Sequence, residues 1–192
     1  VAPLLKPAKG EKILDACAAP GSKSTHLAEL IKDNGEIIAV DRSEKRLQIL
    51  RSNIERLSLK SIKTLKADAT NLIGSNPDFI SYFDKILIDA PCSGIGTFSR
   101  NPDARWSLNR EKIKQLIFLQ ERLLESIFPL LKKDGILVYS TCTICPSENN
   151  YLIKRFIEKN ENIKLNFQRQ ILPKLNYQGD GFYAAILSHK RK

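Results

Sequence analysis

The sequence predicts an α/β fold built on a mostly parallel sheet with helices on both faces. Three observations predict it. Strand-like and helix-like segments alternate along the chain. The strand-like runs are nearly continuous in apolar residues, as strands buried on both faces are. The polar residues suited to chemistry gather where those strands end, and open α/β sheets bind their ligands there.

KILDA (12–16) reads as the first buried strand, CAAPGS (17–22) as a turn, and 23–33 as a helix. EIIAVD (36–41) is the second strand. Ser43 suits the cap of the next helix, with Leu47, Leu50, Ile54 and Leu57 on one face. KTLKAD (63–68) is a weaker third strand and DKILID (84–89) a clear fourth. The stretch APCSGIGTFSRNPDARWSLN (90–109) has no period. Loops of that length are functional or disordered, and its Trp, Arg and Cys argue against disorder. A helix then places Ile113, Leu116, Ile117, Leu124, Ile127, Phe128 and Leu131 at three- and four-residue spacing. GILVYST (135–141) is the fifth strand, and Pro146 suits the first turn of a helix over 147–159. IKLNF (163–167) and FYAAIL (182–187) add two closing strands.

The 192 residues suffice for one domain with a full core, so 1–192 is read as one unit. A net charge of +10 suits a polyanionic partner and points to nucleic acid. No apolar run approaches the ~20 residues that span a membrane. The chain has no methionine, so the expectation is that it begins inside a longer polypeptide. The cysteines, at 17, 92, 142 and 145, are too few for a disulfide framework and offer at most one zinc-type knuckle. His26 and His189 stand alone, so no metal is expected.

The first turn, DACAAPGSKST, can bind an anion at a helix start. It is not a P-loop, and Gly21 alone makes no dinucleotide fingerprint. A ligand without pyrophosphate needs no further glycines. Asp41 is placed to accept from ribose hydroxyls and Asp68 to receive an exocyclic amine. A nucleoside with a small carboxylate-bearing tail fits, and S-adenosyl-L-methionine is such a molecule. Each aspartate taken singly could equally be a cap or turn former.

Neighbouring strands would bring Cys92, in DAPCSG, close to Cys142, in STCTIC, with Asp89 between them and the cofactor. Thiols suit methyl transfer to carbon 5 of cytosine. A thiolate adding to carbon 6 makes carbon 5 nucleophilic, and a carboxyl group at ring nitrogen 3 favours the addition. Cys17 and Cys145 read better as packing residues. A zinc or redox pair of Cys142 and Cys145, and a binding module without turnover, are the competing readings.

LDACAAPGSKSTHLAEL, VDRS, KAD, ILIDAPCSGIGTFSRNPDARW, LVYSTCTICPSENN and DGFYAAIL resemble, in order, the motifs of the Nol/Nop/Sun family of RNA cytosine-5 methyltransferases. RNPDARW and GDGFYAAIL are most similar to its bacterial Sun (Fmu, RsmB) branch, which modifies small-subunit ribosomal RNA. The resemblance implies a Rossmann-like class I methyltransferase fold with a seven-stranded sheet, and S-adenosyl-L-methionine as cofactor. It matches Cys17, Ala18, Ala19, Pro20, Gly21, Ser22 and Lys23 to the cofactor turn, and Asp41, Asp68 and Asp89 to cofactor-contacting acids. Cys142 matches the cysteine that attacks carbon 6, and Cys92 the one that helps free the product. DNA cytosine-5 enzymes use the Pro-Cys cysteine as nucleophile, which keeps Cys92 as the alternative. Arg100, Arg105 and Trp106, in the long loop, are the expected RNA contacts. Ser22 stands where the family usually has a second glycine, and Asn150 where it often has Glu. Relatives carry an N-terminal RNA-binding region that these 192 residues are not expected to include, so this piece is expected to bind cofactor but hold RNA poorly. A monomeric, cytoplasmic protein acting on ribosomal RNA, or alternatively on tRNA, is the resulting expectation.

Overall fold

A computed structural model describes residues 1–173 and 179–190. The strands are β1 (Lys12–Asp15), β2 (Glu36–Asp41), β3 (Ile62–Lys66), β4 (Phe83–Asp89), β5 (Leu131–Thr141), β6 (Ile163–Ile171) and β7 (Phe182–His189). The helices are α1 (Ser22–Leu30), α2 (Glu44–Arg56), the short α3 (Leu72–Ser75) and α4 (Ala104–Ser107), α5 (Arg110–Ile127) and α6 (Asn150–Lys159). One seven-stranded sheet has the order β3-β2-β1-β4-β5-β7-β6. Strands β1 to β5 pair in parallel, and β7 is antiparallel to both β5 and β6. The mostly parallel seven-stranded α/β architecture expected from the sequence is the one found.

The strands are apolar throughout because both faces are covered. Ile13 and Leu14 are both fully buried but belong to different clusters, as do Leu87 and its neighbours Ile86 and Ile88. Helices α1 and α2 cover one face with Leu27, Leu47 and Leu50. Helices α5 and α6 cover the other with Leu123, Leu124, Ile127, Leu152 and Phe156. Each such side chain contributes roughly 1.5–3 kcal/mol by leaving water. Strand order reverses between β1 and β4, and the crevice at that reversal is where this architecture receives ligands.

Several boundaries differ from the sequence expectation. Strand β3 ends at Lys66, so Asp68 lies beyond it as the cap of a 3-10 turn. Leu57 is exposed at the end of α2 instead of joining its buried face. The apolar stripe of α5 does not run on as helix to Leu131. Pro129 sits in a 3-10 turn over Phe128–Leu130, and β5 begins directly after it. Pro146 opens a separate 3-10 turn, Pro146–Glu148, ahead of α6. Ser43 and Asn109 cap α2 and α5, accepting from the backbone N–H groups of Arg46 and Lys112. Among the described residues, no helix is long and apolar enough to cross a membrane.

Gly21 opens α1 at φ 113°, and a Cβ there would lie 2.3 Å from Leu50 Cδ1. The first turn is therefore pressed against α2, which leaves no room for a side chain. Gly21→Ala is expected to destabilise the fold by about 2–4 kcal/mol, combining left-handed backbone strain with overpacking, as read by urea unfolding.

Candidate active site

The loops after β1, β2, β3, β4 and β5 surround a cavity of about 360 Å³ at the carboxyl edge of the sheet. Cys17 to Pro20, Ser22 and Lys23 line it from the first turn, Asp41 and Asp68 from the next two, and Asp89, Cys92 and Cys142 from the β4 and β5 ends. Gly21 holds the turn from behind. The residues singled out from sequence for cofactor and catalysis thus converge on one crevice.

The two thiols are adjacent because their strands are adjacent. Asp89 pairs with Ser140 across β4 and β5, and the chains beyond them turn so that Cys92 Sγ lies 3.4 Å from Cys142 Sγ. All four cysteines are free. The hydrogen bond from Cys92 stabilises a thiolate on Cys142 and brings its pKa down to about 7, against partial burial and the nearby Asp89 carboxylate. The same bond, with burial, pushes the Cys92 thiol far up, so Cys92 is the partner that keeps its proton. Lys23, reaching over from α1, adds positive charge on the Cys142 side. Cys17 is different: burial, with Asp15, Asp41 and Asp89 around it, drives its thiol up and leaves it inert, in line with a packing role.

Asp89 is braced on both oxygens. Lys23 Nζ sits 2.6 Å from Oδ2, and Ser140 Oγ donates to Oδ1 at 2.7 Å. Asp41 is buried and accepts from the Ser43 N–H at 2.9 Å and the Ala19 N–H at 3.3 Å, with Arg46 beside it at 3.3 Å. It therefore ties the second strand end to the first turn. Arg46 also donates to the Ala19 carbonyl. Asp68 accepts the Thr70 N–H and hydroxyl through Oδ1, and those bonds hold its pKa below the usual carboxylate value. Both aspartates serve as caps and turn formers while also facing the crevice.

In the long loop, Trp106 is 91% exposed and the Arg105 guanidinium lies 5.5 Å from the centre of the Phe98 ring. Arg100 is engaged by both oxygens of Asp180, just ahead of β7. Gly96 is wedged between the Cys142 and Gly181 backbones: its N–H donates to the Cys142 carbonyl at 3.1 Å, and its carbonyl accepts from Gly181 at 2.8 Å. Among the described residues, no group of three or more His, Cys, Asp or Glu side chains could hold a metal ion. The sulfur of Cys142 meets Cys92, whereas Cys145 stands at the start of the following turn.

Sequence reading missed a set of buried polar residues behind the thiols: Ser93, Gln120, Thr143, Glu148 and Asn149. The available signal was Gln120, a polar residue within the buried stripe of α5. Asp15, at the end of β1, was also passed over as a site residue. It is fully buried and accepts the Ser24 hydroxyl at 2.7 Å on Oδ2, while Oδ1 has no hydrogen-bond partner among the described residues.

A seven-stranded sheet with this order and a crevice at its reversal defines the Rossmann-like methyltransferase class of fold. The chain belongs to the 16S rRNA methyltransferase RsmB/F family, whose model matches residues 2–188. It is 41% identical over 197 aligned residues to the ribosomal RNA small subunit methyltransferase B of Photorhabdus laumondii, covering 97% of this chain and 44% of that protein. It is 48% identical over 162 residues to a probable ribosomal RNA small subunit methyltransferase B of Synechocystis, covering 84% of this chain and 36% of that one. The structure of Pyrococcus horikoshii NSun6 with SFG superposes with a TM-score of 0.87 at 33% identity, covering all of this chain and 51% of that one. The chain thus spans less than half the length of these two curated relatives.

Two expectations concern titration. Burial raises the Asp15 pKa from 3.8 to about 6. The folded state then holds a proton that the unfolded chain has released, so stability falls as pH rises from about 4 to 6. Asp15→Asn is expected to remove up to about 3 kcal/mol of that slope, measured by denaturant unfolding of both proteins at pH 4 and pH 7. Alkylation of Cys142 by iodoacetamide is expected to rise with pH to a half-maximum near 7, read by mass spectrometry of the modified peptide.

Proposed function

We propose that residues 1–192 form the catalytic domain of an RNA methyltransferase that uses S-adenosyl-L-methionine to methylate carbon 5 of a cytosine, with small-subunit ribosomal RNA as substrate. The observation that carries this reading is the pair of thiols 3.4 Å apart beside Asp89 at the ligand edge. The family, and the names of the relatives it matches, support ribosomal RNA as the substrate class.

The crevice fits the cofactor. Its volume falls within the usual range for small-molecule sites, roughly 300–1,000 Å³. Its first turn has one glycine, enough for a ligand without pyrophosphate, and Asp41 and Asp68 face the crevice as acceptors suited to ribose hydroxyls and an exocyclic amine. Residues 17–23, Asp41 and Asp68 would hold it, and it would supply an electrophilic methyl group. The similar NSun6 structure, obtained with SFG, is consistent with a small-molecule ligand in this fold.

The geometry supports the following protein side of the reaction. A cytosine must leave its stack to reach the pocket, because carbon 6 is inaccessible inside a duplex. Cys142, as thiolate, forms a bond from Sγ to carbon 6. Asp89, held in place by Lys23 and Ser140, takes a proton from solvent and donates it to ring nitrogen 3 as electron density shifts to carbon 5, and receives it back when the ring is restored. Carbon 5 takes the methyl group and then gives its proton to solvent water, and the freed electron pair reforms the bond between carbons 5 and 6. The Cys142 sulfur leaves carbon 6, restoring the aromatic ring. Cys92, protonated and in contact with that sulfur, assists its departure. Arg105 and Trp106 offer a cation and an exposed aromatic surface to flanking RNA, with Arg100 shared with Asp180.

In the full-length protein, Cys142→Ala is expected to reduce 5-methylcytosine formation by at least about a thousandfold, the loss typical of removing a nucleophile. Cys92→Ala is expected to accumulate a covalent protein–RNA complex that survives denaturing electrophoresis. An adduct in Cys142→Ala, with none in Cys92→Ala, would reverse the two roles.

A further inference from the structure

Behind the two thiols lies a closed set of buried polar contacts centred on Glu148. This side chain is fully buried on the 3-10 turn between β5 and α6. Its Oε1 accepts the Ser93 N–H at 2.9 Å and the Gln120 side-chain amide at 3.0 Å, and its Oε2 accepts the Ser93 hydroxyl. The same Gln120 amide donates to the Pro91 carbonyl at 2.9 Å. The residues on both sides of Cys92, Pro91 and Ser93, are therefore held by one carboxylate–amide pair. Ser93 Oγ also meets Thr143 Oγ1 at 2.7 Å, and Thr143 Oγ1 accepts the Cys145 N–H at 3.2 Å. Thr143 follows Cys142 directly. The backbone of Glu148 is fixed in turn, its carbonyl accepting the Tyr139 hydroxyl at 2.8 Å.

We infer that Glu148 is a positioning residue that buckles the Cys92 loop to the Cys142 loop and so holds the two sulfurs in hydrogen-bond contact. This rests on the reading of Cys142 and Cys92 as the reacting thiols. A loop end left to itself would not hold an S–H donor against a neighbouring sulfur, since thiol hydrogen bonds are weak. Three charge-assisted or backbone-anchored bonds to one buried carboxylate are strong enough to do so. Gln120 keeps its place although its Oε1 has no partner among the described residues, a cost accepted where its N–H groups are both in use.

The readout that separates positioning from mere support is the titration of Cys142. The groups that act on it are Cys92 from the β4 loop, Asp89 from the β4 end, Lys23 from α1 and Arg100 from the long loop. Glu148→Gln keeps the volume of the side chain but sets an NH₂ against Ser93 or Gln120, whose groups donate to Glu148 and need an acceptor there. If Glu148 acts by holding Cys92 in place, that variant loosens the thiol contact and the Cys142 midpoint moves up from about 7, slowing iodoacetamide alkylation at pH 7 several-fold. A direct charge effect has the opposite sign, because removing a negative charge would move the midpoint down.

The experiment compares alkylation–pH profiles of the wild-type protein, Glu148→Gln, Cys92→Ala and the double variant, with thermal unfolding as the check on folding. The expected result is an upward midpoint in Glu148→Gln, a similar one in Cys92→Ala, and no additional change in the double variant. A folded Glu148→Gln protein with an unchanged or lowered midpoint overturns the inference. So does a Glu148→Gln effect that persists undiminished without Cys92. Should Glu148→Gln fail to fold, Ser93→Ala, which removes only the hydroxyl bridge between Glu148 and Thr143, decides the matter: an upward midpoint supports the inference and an unchanged one overturns it. None of these profiles requires RNA. Wild-type protein that never forms 5-methylcytosine would defeat the proposed reaction and leave this result readable.

Discussion

The site depends on β4 and β5 being adjacent, parallel and in register. Because Asp89 lies opposite Ser140, the two chains leave the sheet side by side, and each carries a cysteine within three residues of its last strand position. Antiparallel pairing, or a strand between them, would send those loops to opposite edges or push the sulfurs about 10 Å apart, two strand spacings. The thiol contact, the bracing of Asp89 by Ser140 and the closure of the crevice all follow from that one pairing.

Electrostatics at this edge is a balance of crowded acids and a few cations. Asp15, Asp41 and Asp89 lie close enough together to act on one thiol, that of Cys17. Lys23 and Arg46 supply the paired positive charge, and each also binds the first turn or its neighbours. The outcome differs by residue because burial differs. Asp15, sealed off with one oxygen unpartnered among the described residues, is driven toward its neutral form, whereas Asp68, nearer solvent and bonded to Thr70, is held ionised. The same logic separates the cysteines. One thiol is muted by burial, and another is activated by a neighbour that donates to it.

Much of this was legible in the chain. The apolar strands with polar residues at their ends gave the sheet and its functional edge, since both features arise from local composition and the alternation of elements. Element limits were less accessible wherever a proline or a turn cut an apolar run, as at Pro129 and Pro146, because hydrophobic spacing continues through a change of backbone conformation. The polar set behind the thiols was almost wholly hidden. Ser93, Gln120 and Glu148 come from three separate elements, and nothing local distinguishes a buried, satisfied Glu from one that faces water. Only Gln120, by interrupting an apolar face, betrayed that a polar partner was waiting across the core.

Gly96 has a consequence for the order in which the molecule can be completed. Its missing side chain lets the segment before β7 lie directly against the loop that carries Cys142, with backbone atoms in van der Waals contact on both sides. Nascent chains gain their contacts from the N-terminus onward, and pairings between distant residues form slowly because a long loop must close first. The first turn can be shaped early, but the edge that carries the two thiols cannot reach its final form until residue 181 is in place. This contact favours late closure of that edge.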